Sequence, residues 1–500
     1  MNVLDELGAA RICSECIGEA YLNAAAMKLD EQSLCDYCKD EGSTVSLAWL
    51  SEAINGAFDR HFVRTSPDAD GFESMMLRDK ESSYEWYREG EETVRAISEA
   101  AQVEENVASS IQLILDEKHY CRDAVEVGEE TEFSSEAHYL RKPVDDWTWN
   151  AEWEDFEQLI KTRSRYFGPS AHGMLERVFG GIDKLFVGAK RPVLVTAGPL
   201  QQISALVRAR CFQDDSELRL AMGKPDLHLA PPPFEFATAG RMNAHGISVF
   251  YGSLDRKTAI AEVRPPVGSK VLTAKFCLND DIRLLDLTAI SELKIEGSVF
   301  DPDYSETLQR TEFLNTLARR ISKPVVPNAE PLEYIATQAI SEFLATEVSP
   351  CFDGVIFPSV QSSNESKNVV LFHHAARVLE MEDVIQGSSD VELGLDDDDE
   401  YSRGYSVFAK TKPEAAIREG QDVGDGLNEW LADNQIVSRC DNRTAKLEVD
   451  RSTLIVHVIG SVEYTAVENE VSWYDRPPSA SGDIGVAEQK PEQVELADFD

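Results

Sequence analysis

Residues 240–252 read GRMNAHGISVFYG, and they are followed at residues 258–265 by TAIAEVRP. The run ISVFYG is rich in β-branched and aromatic residues, which predicts a strand. The two segments place Arg241, Tyr251 and Glu262 in the spacing R-x9-Y-x10-E. The sequence has no glycine-rich phosphate loop after a strand, so neither the usual dinucleotide fingerprint nor the P-loop accounts for this arginine and glutamate.

Around this stretch, short strand-like runs mix with helical runs. The strand-like runs include SKVLTAKFCL, RLLDL, GVIFPSV and NVVLFH, and the helical runs include ETLQRTEFLNTLARRI and IATQAISEFLATEV. Strands and helices that do not alternate regularly favour an α+β module over a doubly wound parallel sheet.

The flanks differ from this middle region in composition. Residues 46–190 place apolar residues three and four apart, which predicts a mostly helical domain. The acidic run at residues 396–400 predicts a solvated linker, and residues 446–468 alternate enough to predict a small β-rich unit. The predicted organisation is a cysteine-rich segment 1–45, a helical domain 46–190, an α+β module 191–380, an acidic linker 381–402, a β-rich region 403–475 and a disordered acidic tail 476–500.

Charge follows the same division. The 500 residues carry a formal net charge of −42. Residues 1–200 contribute −19, residues 201–380 contribute −5 and residues 381–500 contribute −18. The acidity excludes non-specific binding of nucleic acid or an anionic membrane as the work of the whole chain. Without a signal peptide pattern or a long apolar run, we expect a soluble cytoplasmic protein.

Four cysteines fall in the first 38 residues, as Cys13-Ser-Glu-Cys16 and Cys35-Asp-Tyr-Cys38. Two C-x2-C turns can present four thiolates to one ion, and four thiolates fill the tetrahedral shell that zinc prefers. The spacing therefore predicts a structural Zn2+ site made by Cys13, Cys16, Cys35 and Cys38. The alternative of two disulfides is disfavoured in a cytosolic chain.

Several ordered motifs resemble the RES-domain family, whose pattern runs G-R-x-N-x-x-G, an aromatic strand ending in tyrosine, and T-A-x-x-E. The segments 240–252 and 258–262 follow this pattern. Residues 351–359, CFDGVIFPS, and 368–372, NVVLF, resemble the family's closing block. The stretch from Tyr334 to Ala339 and the opening VRAR at 207–210 also fit.

The resemblance implies an NAD+-consuming toxin of the RES–Xre type, similar in fold to ADP-ribosyltransferases, that cleaves the nicotinamide–ribose bond. It makes Arg241, Tyr251, Glu262 and Ser359 the candidate catalytic residues. A carboxylate such as Glu262 stabilises the cation that develops at the ribose, and Arg241, helped by Arg208, can bind pyrophosphate. Tyr251 could offer a ring face to nicotinamide, and the hydroxyl of Ser359 could donate to ribose or phosphate. The acceptor could be water, phosphate or a protein side chain.

Two other functions compete with this enzyme. The cysteine cluster and the helices after it resemble an N-terminal region related to HEPN bundles, some of which are ribonucleases with an R-x4-6-H motif. The nearest match is Arg165 with His172, but Gly168 and Pro169 lie between them and break the helix. The acidic flanks alternatively suggest a zinc-stabilised sensor that binds a nucleotide without turnover. An enzyme of this kind would need an inhibitor, either an antitoxin protein encoded nearby or the flanking regions acting in cis.

Overall fold

The computed structural model divides the chain into two units, Met1–Ile459 and Gly460–Asp500, and every element named below belongs to the first. The residues that the structure describes are 3–29, 31–79, 83–126, 128–165, 168–188, 191–326, 328–361, 366–381, 389–393, 404–410, 441–463, 469 and 471. The predicted acidic run at 396–400 and the predicted tail at 476–500 lie outside the described residues. No helix in the described ranges is long and apolar enough to cross a membrane.

The N-terminal region is helical with two small three-stranded sheets, ordered β1-β3-β2 and β4-β6-β5. Its helices are α1 (Val3–Ala9), α2 (Ala20–Leu29), α3 (Leu47–His61), α4 (Gly71–Arg78), α5 (Thr93–Ala101), α6 (Glu105–Lys118) and α7 (Arg122–Glu126). Its strands are β1 (Arg11–Cys13), β2 (Gln32–Leu34), β3 (Glu41–Ser46), β4 (Phe62–Arg64), β5 (Glu91–Glu92) and β6 (His138–Arg141).

Helix α3 shows why the sequence folds this way locally. The Ser46 side chain caps its N-terminus by accepting from the backbone N–H of Trp49. The helix then buries Leu50, Ile54 and Phe58, which are spaced four residues apart and so share one face.

The middle region mixes helices and strands as predicted. Its helices are α8 (Trp147–Thr162), α9 (Pro169–Phe179), α10 (Asp215–Gly223), α11 (Pro225–His228), α12 (Arg256–Glu262), α13 (Leu287–Ile290), α14 (Tyr304–Ser322) and α15 (Glu330–Thr346). Its strands are β7 (Phe186–Val187), β8 (Arg191–Pro192), β9 (Leu194–Ala197), β10 (Ala205–Phe212), β11 (Phe250–Ser253), β12 (Lys270–Leu278), β13 (Ile282–Asp286), β14 (Gly354–Pro358) and β15 (Lys367–Leu371). Beyond them come β16 (Asp390–Glu392), β17 (Ser406–Phe408) and β18 (Leu447–Val458).

A mixed eight-stranded sheet in the order β18-β12-β10-β11-β15-β14-β13-β9 organises this region. The pair β13–β14 is parallel, whereas the other neighbouring pairs in this sheet are antiparallel. Helices α8, α9, α13, α14 and α15 contribute to a core on one face, and α10 contributes to a core on the other. The α+β class therefore rests on one continuous sheet with a hydrophobic core on each face.

Three packing features cut across the predicted boundaries, which themselves stay predictions. Helices α8 and α9, expected with the N-terminal helices, share a core with α14 and α15. Strand β18, expected in a separate β-rich region, pairs antiparallel with β12 at the sheet edge. Val299 and Phe300, both 5% exposed, belong to the core of the N-terminal region. Local patterns indicate which residues are apolar but not which distant element covers them.

Candidate functional site

The loop that precedes β11 is held by Asn243. Its side-chain amide donates to the backbone carbonyls of Thr238 at 2.9 Å and Ile247 at 2.9 Å. Its Oδ1 accepts from the Tyr251 hydroxyl at 2.9 Å. Gly240 lies under this pair, so close that an added Cβ would stand 2.7 Å from Asn243 Oδ1 and 2.8 Å from the Tyr251 oxygen. Position 240 thus needs glycine because the Asn243 and Tyr251 side chains lie so close to it, and position 243 needs asparagine because its amide bonds both ends of the loop and Tyr251.

Tyr251 lies on β11 and is partly buried against the core on one face of the sheet. Burial raises the pKa of its phenol to about 12, although the backbone N–H of Met242 donates to the oxygen at 3.1 Å. The hydroxyl is therefore protonated at neutral pH and already occupied by two protein partners. The hydroxyl thus holds the loop before β11 in place. The ring is the part of the side chain suited to stacking.

Glu262 is the last residue of α12, whose N-terminus is capped by the Asp255 side chain accepting from the Thr258 N–H. Its Oε1 accepts two hydrogen bonds, from Ser359 Oγ at 2.6 Å and from Asn368 Nδ2 at 2.7 Å. Two donors on one oxygen fix the direction of a carboxylate at the end of a helix. The structure therefore brings together Glu262 and Ser359, which lie 97 positions apart in the chain.

The register of β11 and β15 sets which side chains share a face. Tyr251 pairs with Val370, and Ser253 pairs with Asn368. Because paired residues and every second residue point to the same side of a sheet, Tyr251, Ser253 and Asn368 lie on one face. The carboxylate of Glu262 is bonded to that face through Asn368.

Arg241 lies beside this face, in the loop before β11. Its guanidinium donates to the backbone carbonyl of Ile321 at the end of α14, and it stands 5.5 Å from the ring centroid of Tyr334 in α15. Its own carbonyl accepts from the hydroxyl of Thr337. The two helices thus hold the backbone and the guanidinium of Arg241 in place.

The remaining predicted ligand residue, Arg208, occupies the other face of the sheet. Val207 pairs with Ser253, so the next residue on β10 points away from Tyr251. The Arg208 guanidinium lies 4.8 Å from the ring centroid of Phe250, and its Nη1 has no hydrogen-bond partner among the described residues. Burial lowers its pKa to about 10. The structure places this arginine on the face opposite Tyr251, Ser253 and Asn368.

Sequence reasoning missed Asn368 and Ser253 as members of the site. Both are buried, at 4% and 2% exposed. The signal for Asn368 was present, because a polar residue opens the otherwise apolar strand NVVLF and a buried amide needs partners. Ser253 gave no signal, since a serine at a strand end is common on any surface.

The four predicted metal ligands converge. Cys13 Sγ lies 3.5 Å from Cys38 Sγ, Cys16 Sγ lies 4.0 Å from Cys35 Sγ, and all four sulfurs lie within 4.8 Å of one another. With bonds of about 2.3 Å to zinc, the sulfurs of a tetrahedral site stand about 3.8 Å apart. The arrangement fits a metal ion such as zinc.

The cluster also has the electrostatics of a thiolate site. Burial opposes ionisation of Cys35, but backbone N–H groups of Cys38, Cys13 and Tyr37 donate toward its sulfur and lower its pKa to about 7. Burial raises the pKa of Cys16. One thiol is thus ready to ionise, and a divalent ion would supply the charge that the others need.

The residues of the ribonuclease hypothesis do not share a helix. Arg165 lies after the end of α8, and His172 lies in α9, where its Nε2 is 3.5 Å from a carboxylate oxygen of Glu347. The helix break expected at Gly168 and Pro169 is confirmed, since α9 begins at Pro169. No contact between Arg165 and His172 is recorded among the described residues, and the hypothesis stays a prediction.

Fold and site together define a mixed α/β domain with an oriented carboxylate on one face of its sheet. Residues 219–396 match the family model of the RES domain. The match includes Arg241, Tyr251, Glu262 and Ser359, and it supports the RES family for that part of the chain. Strands β9, β10 and β18 lie outside it although they complete the same sheet. The comparison with curated proteins gave no significant match, and neither did the comparison with solved structures.

Proposed function

We propose that the chain binds NAD+ and cleaves the bond between nicotinamide and ribose. The observation that carries the proposal is the Glu262 carboxylate, held by Ser359 at 2.6 Å and Asn368 at 2.7 Å within the matched RES domain. Departure of neutral nicotinamide leaves positive charge on the ribose, and a carboxylate that is already oriented stabilises that charge without reorganisation.

The other site residues have roles that follow from where they lie. Arg241 would bind the pyrophosphate after exchanging its bond to the Ile321 carbonyl for a stronger pair with phosphate oxygens. The ring of Tyr251 would stack on nicotinamide. Arg208 lies on the opposite face, where its guanidinium stands 4.8 Å from the ring centroid of Phe250. Its proposed contact with the pyrophosphate would therefore require a different arrangement of β10. The ADP-ribosyltransferase-like fold likewise stays a proposal.

The test is release of nicotinamide from NAD+ by the purified full chain, measured by chromatography and mass spectrometry. We expect release by the wild type and a loss of about 100-fold or more in kcat for Glu262→Gln, which keeps the side-chain shape but removes the charge. Glu342→Gln, an exposed position in α15, is the matched control and should retain activity. Reactions in phosphate buffer and with cell lysate identify the acceptor from the mass of the product.

A sensor that binds NAD+ without turnover is the competing outcome. If calorimetry shows saturable binding of NAD+ and no nicotinamide is released under any of these conditions, the protein is a sensor and not an enzyme. The oriented carboxylate favours turnover, because binding of a pyrophosphate gains nothing from a negative charge at the ribose.

The remaining proposals concern the setting of this activity. We propose a structural Zn2+ ion at Cys13, Cys16, Cys35 and Cys38, whose thiols fit its geometry. We also propose that the protein acts in the cytoplasm, where NAD+ is plentiful, as the toxin of a RES–Xre type pair. An antitoxin protein, or the flanking regions in cis, would restrain it.

A further inference from the structure

We infer that Asn368 is a positioning residue for Glu262, and that the two residues act as a unit with Ser253. This inference rests on the proposed function and deepens it. Asn368 Nδ2 donates to Glu262 Oε1 at 2.7 Å, and Asn368 Oδ1 accepts from Ser253 Oγ at 2.6 Å. The serine hydroxyl and the carboxylate thus hold the amide from its two ends.

The hydrogen-bonded chain Ser253–Asn368–Glu262, called the relay below, allows only one orientation of the Asn368 amide. An amide presents a donor on one side and an acceptor on the other, and a carboxylate can only accept. The Asn368 NH2 group must therefore face Glu262, and Asn368 Oδ1 accepts from the Ser253 hydroxyl. Ser253 and Asn368 are directly paired on neighbouring antiparallel strands, so the rigid sheet fixes their separation. The carboxylate at the end of α12 is therefore positioned by the sheet rather than by its own helix.

Both recorded donors use the same carboxylate oxygen. Ser359 and Asn368 bind Glu262 Oε1, which leaves the lone pairs of Oε2 for a ligand, within the part of the chain that the structure describes. Because two hydrogen bonds hold Oε1 in place, the position of Oε2 is fixed as well. The geometry assigns Oε2 as the atom that faces the ribose of NAD+.

Burial distinguishes this relay from an ordinary surface network. Asn368 is 4% exposed, Ser253 is 2% exposed and Ser359 is 3% exposed. Water cannot readily replace a lost donor at such positions, so loss of the Asn368 amide would free the carboxylate to rotate. A misplacement of about 1 Å in a catalytic group can cost about 100-fold in rate.

The test measures kcat and KM for NAD+ in the full chain. Asn368→Leu keeps the shape of the side chain without its donor, and Asn368→Asp replaces the donor by a second carboxylate. We expect kcat to fall about 10- to 100-fold in the first variant and at least as far in the second, with KM within about threefold of the wild type. A structural role alone would not separate kcat from KM in this way.

Asn315→Leu is the matched control, because it likewise replaces an asparagine whose amide donates a side-chain hydrogen bond, here within the region of α14 to the backbone carbonyl of Leu293 at 3.1 Å. It should leave both kcat and KM for NAD+ unchanged. A double variant of Asn368→Leu with Ser359→Ala should lose less than the product of the single losses, since the loss of either donor already lets the carboxylate rotate.

The outcomes separate the two proposals. If the wild type releases nicotinamide and Asn368→Leu has an unchanged kcat, or shows only a raised KM, the positioning role is wrong and the proposed activity stands. If the folded wild type releases none, the activity is wrong and the positioning role falls with it. Melting curves for each variant confirm that the compared proteins are folded.

Discussion

Replacing Gly240 by alanine should break the hydrogen bond between Asn243 and Tyr251 that holds the loop before β11. The new Cβ would stand 2.7 Å from Asn243 Oδ1 and 2.8 Å from the Tyr251 oxygen, both nearer than carbon and oxygen can approach. These two atoms are themselves hydrogen-bonded at 2.9 Å, so neither can withdraw without breaking that bond. The added methyl group therefore breaks the hydrogen bond between Asn243 and Tyr251, because one of the two side chains must move away.

The magnitude follows from what is broken. Loss of one hydrogen bond costs about 1 kcal/mol, and a buried polar group left unpaired costs about 1–3 kcal/mol more. We expect Gly240→Ala to lower the free energy of unfolding by about 2–4 kcal/mol. The loop carries Arg241, so nicotinamide release should also fall, with the larger change in KM.

Urea unfolding followed by tryptophan fluorescence measures the first effect. Gly173→Ala, in the middle of α9 with no atom within 4 Å of the added carbon, is the control and should stabilise the chain by about 0.5–1 kcal/mol. Tyr251→Phe removes one of the two crowding atoms, so in that background Gly240→Ala should cost less. A Gly240→Ala protein as stable as the wild type would refute the reasoning.

Three further predictions concern other groups. Burial raises the pKa values of Tyr139 and Tyr251 to about 12 from 10.0, so their contribution to stability is complete below pH 10 and is lost as pH rises to 12; each should cost about 2–3 kcal/mol there. Urea midpoints at several pH values check this, and Tyr139→Phe should reduce the loss. Cys13→Ser, or a strong chelator, should lower the bound metal found by elemental analysis and speed amide exchange in residues 11–46, whereas unchanged exchange would contradict a structural ion. Arg208→Met should raise the free energy of unfolding by about 1–3 kcal/mol, because it removes a guanidinium whose Nη1 is buried without a hydrogen-bond partner within the described ranges; a destabilised variant would show that the contact of the guanidinium with the Phe250 ring outweighs that cost.

Much of the site could be predicted because its residues recur at short, characteristic spacings along the sequence. The four cysteines converge because each C-x2-C turn is local and only two turns must meet. The tyrosine strand and the short helix with Glu262 follow from local patterns, and both lie within residues 219–396, which match the family model of the RES domain. The contact of Ser359 with Glu262 needed family resemblance, since no local rule connects residues so distant.

What the sequence could not supply depends on long-range pairing. The separation of Arg208 from Glu262 follows from the register of Val207 with Ser253, and register is set by the whole sheet. The position of β18 beside β12 follows from an open sheet edge that accepts any suitable strand. The amphipathic pattern of α8 and α9 shows an apolar face but does not name the helices that cover it.

Strand β18 also has a consequence for synthesis on the ribosome. The sheet that carries Tyr251 receives its edge strand from residues 447–458, about 180 residues after β12 emerges. Until then β12 offers an unpaired edge, and the backbone carbonyl of Thr453 that accepts from Arg256 in α12 does not yet exist. A nascent chain, or a product cut short before residue 447, therefore has an unfinished sheet. The sheet that carries the candidate site is thus complete only after residues 447–458 have emerged from the ribosome.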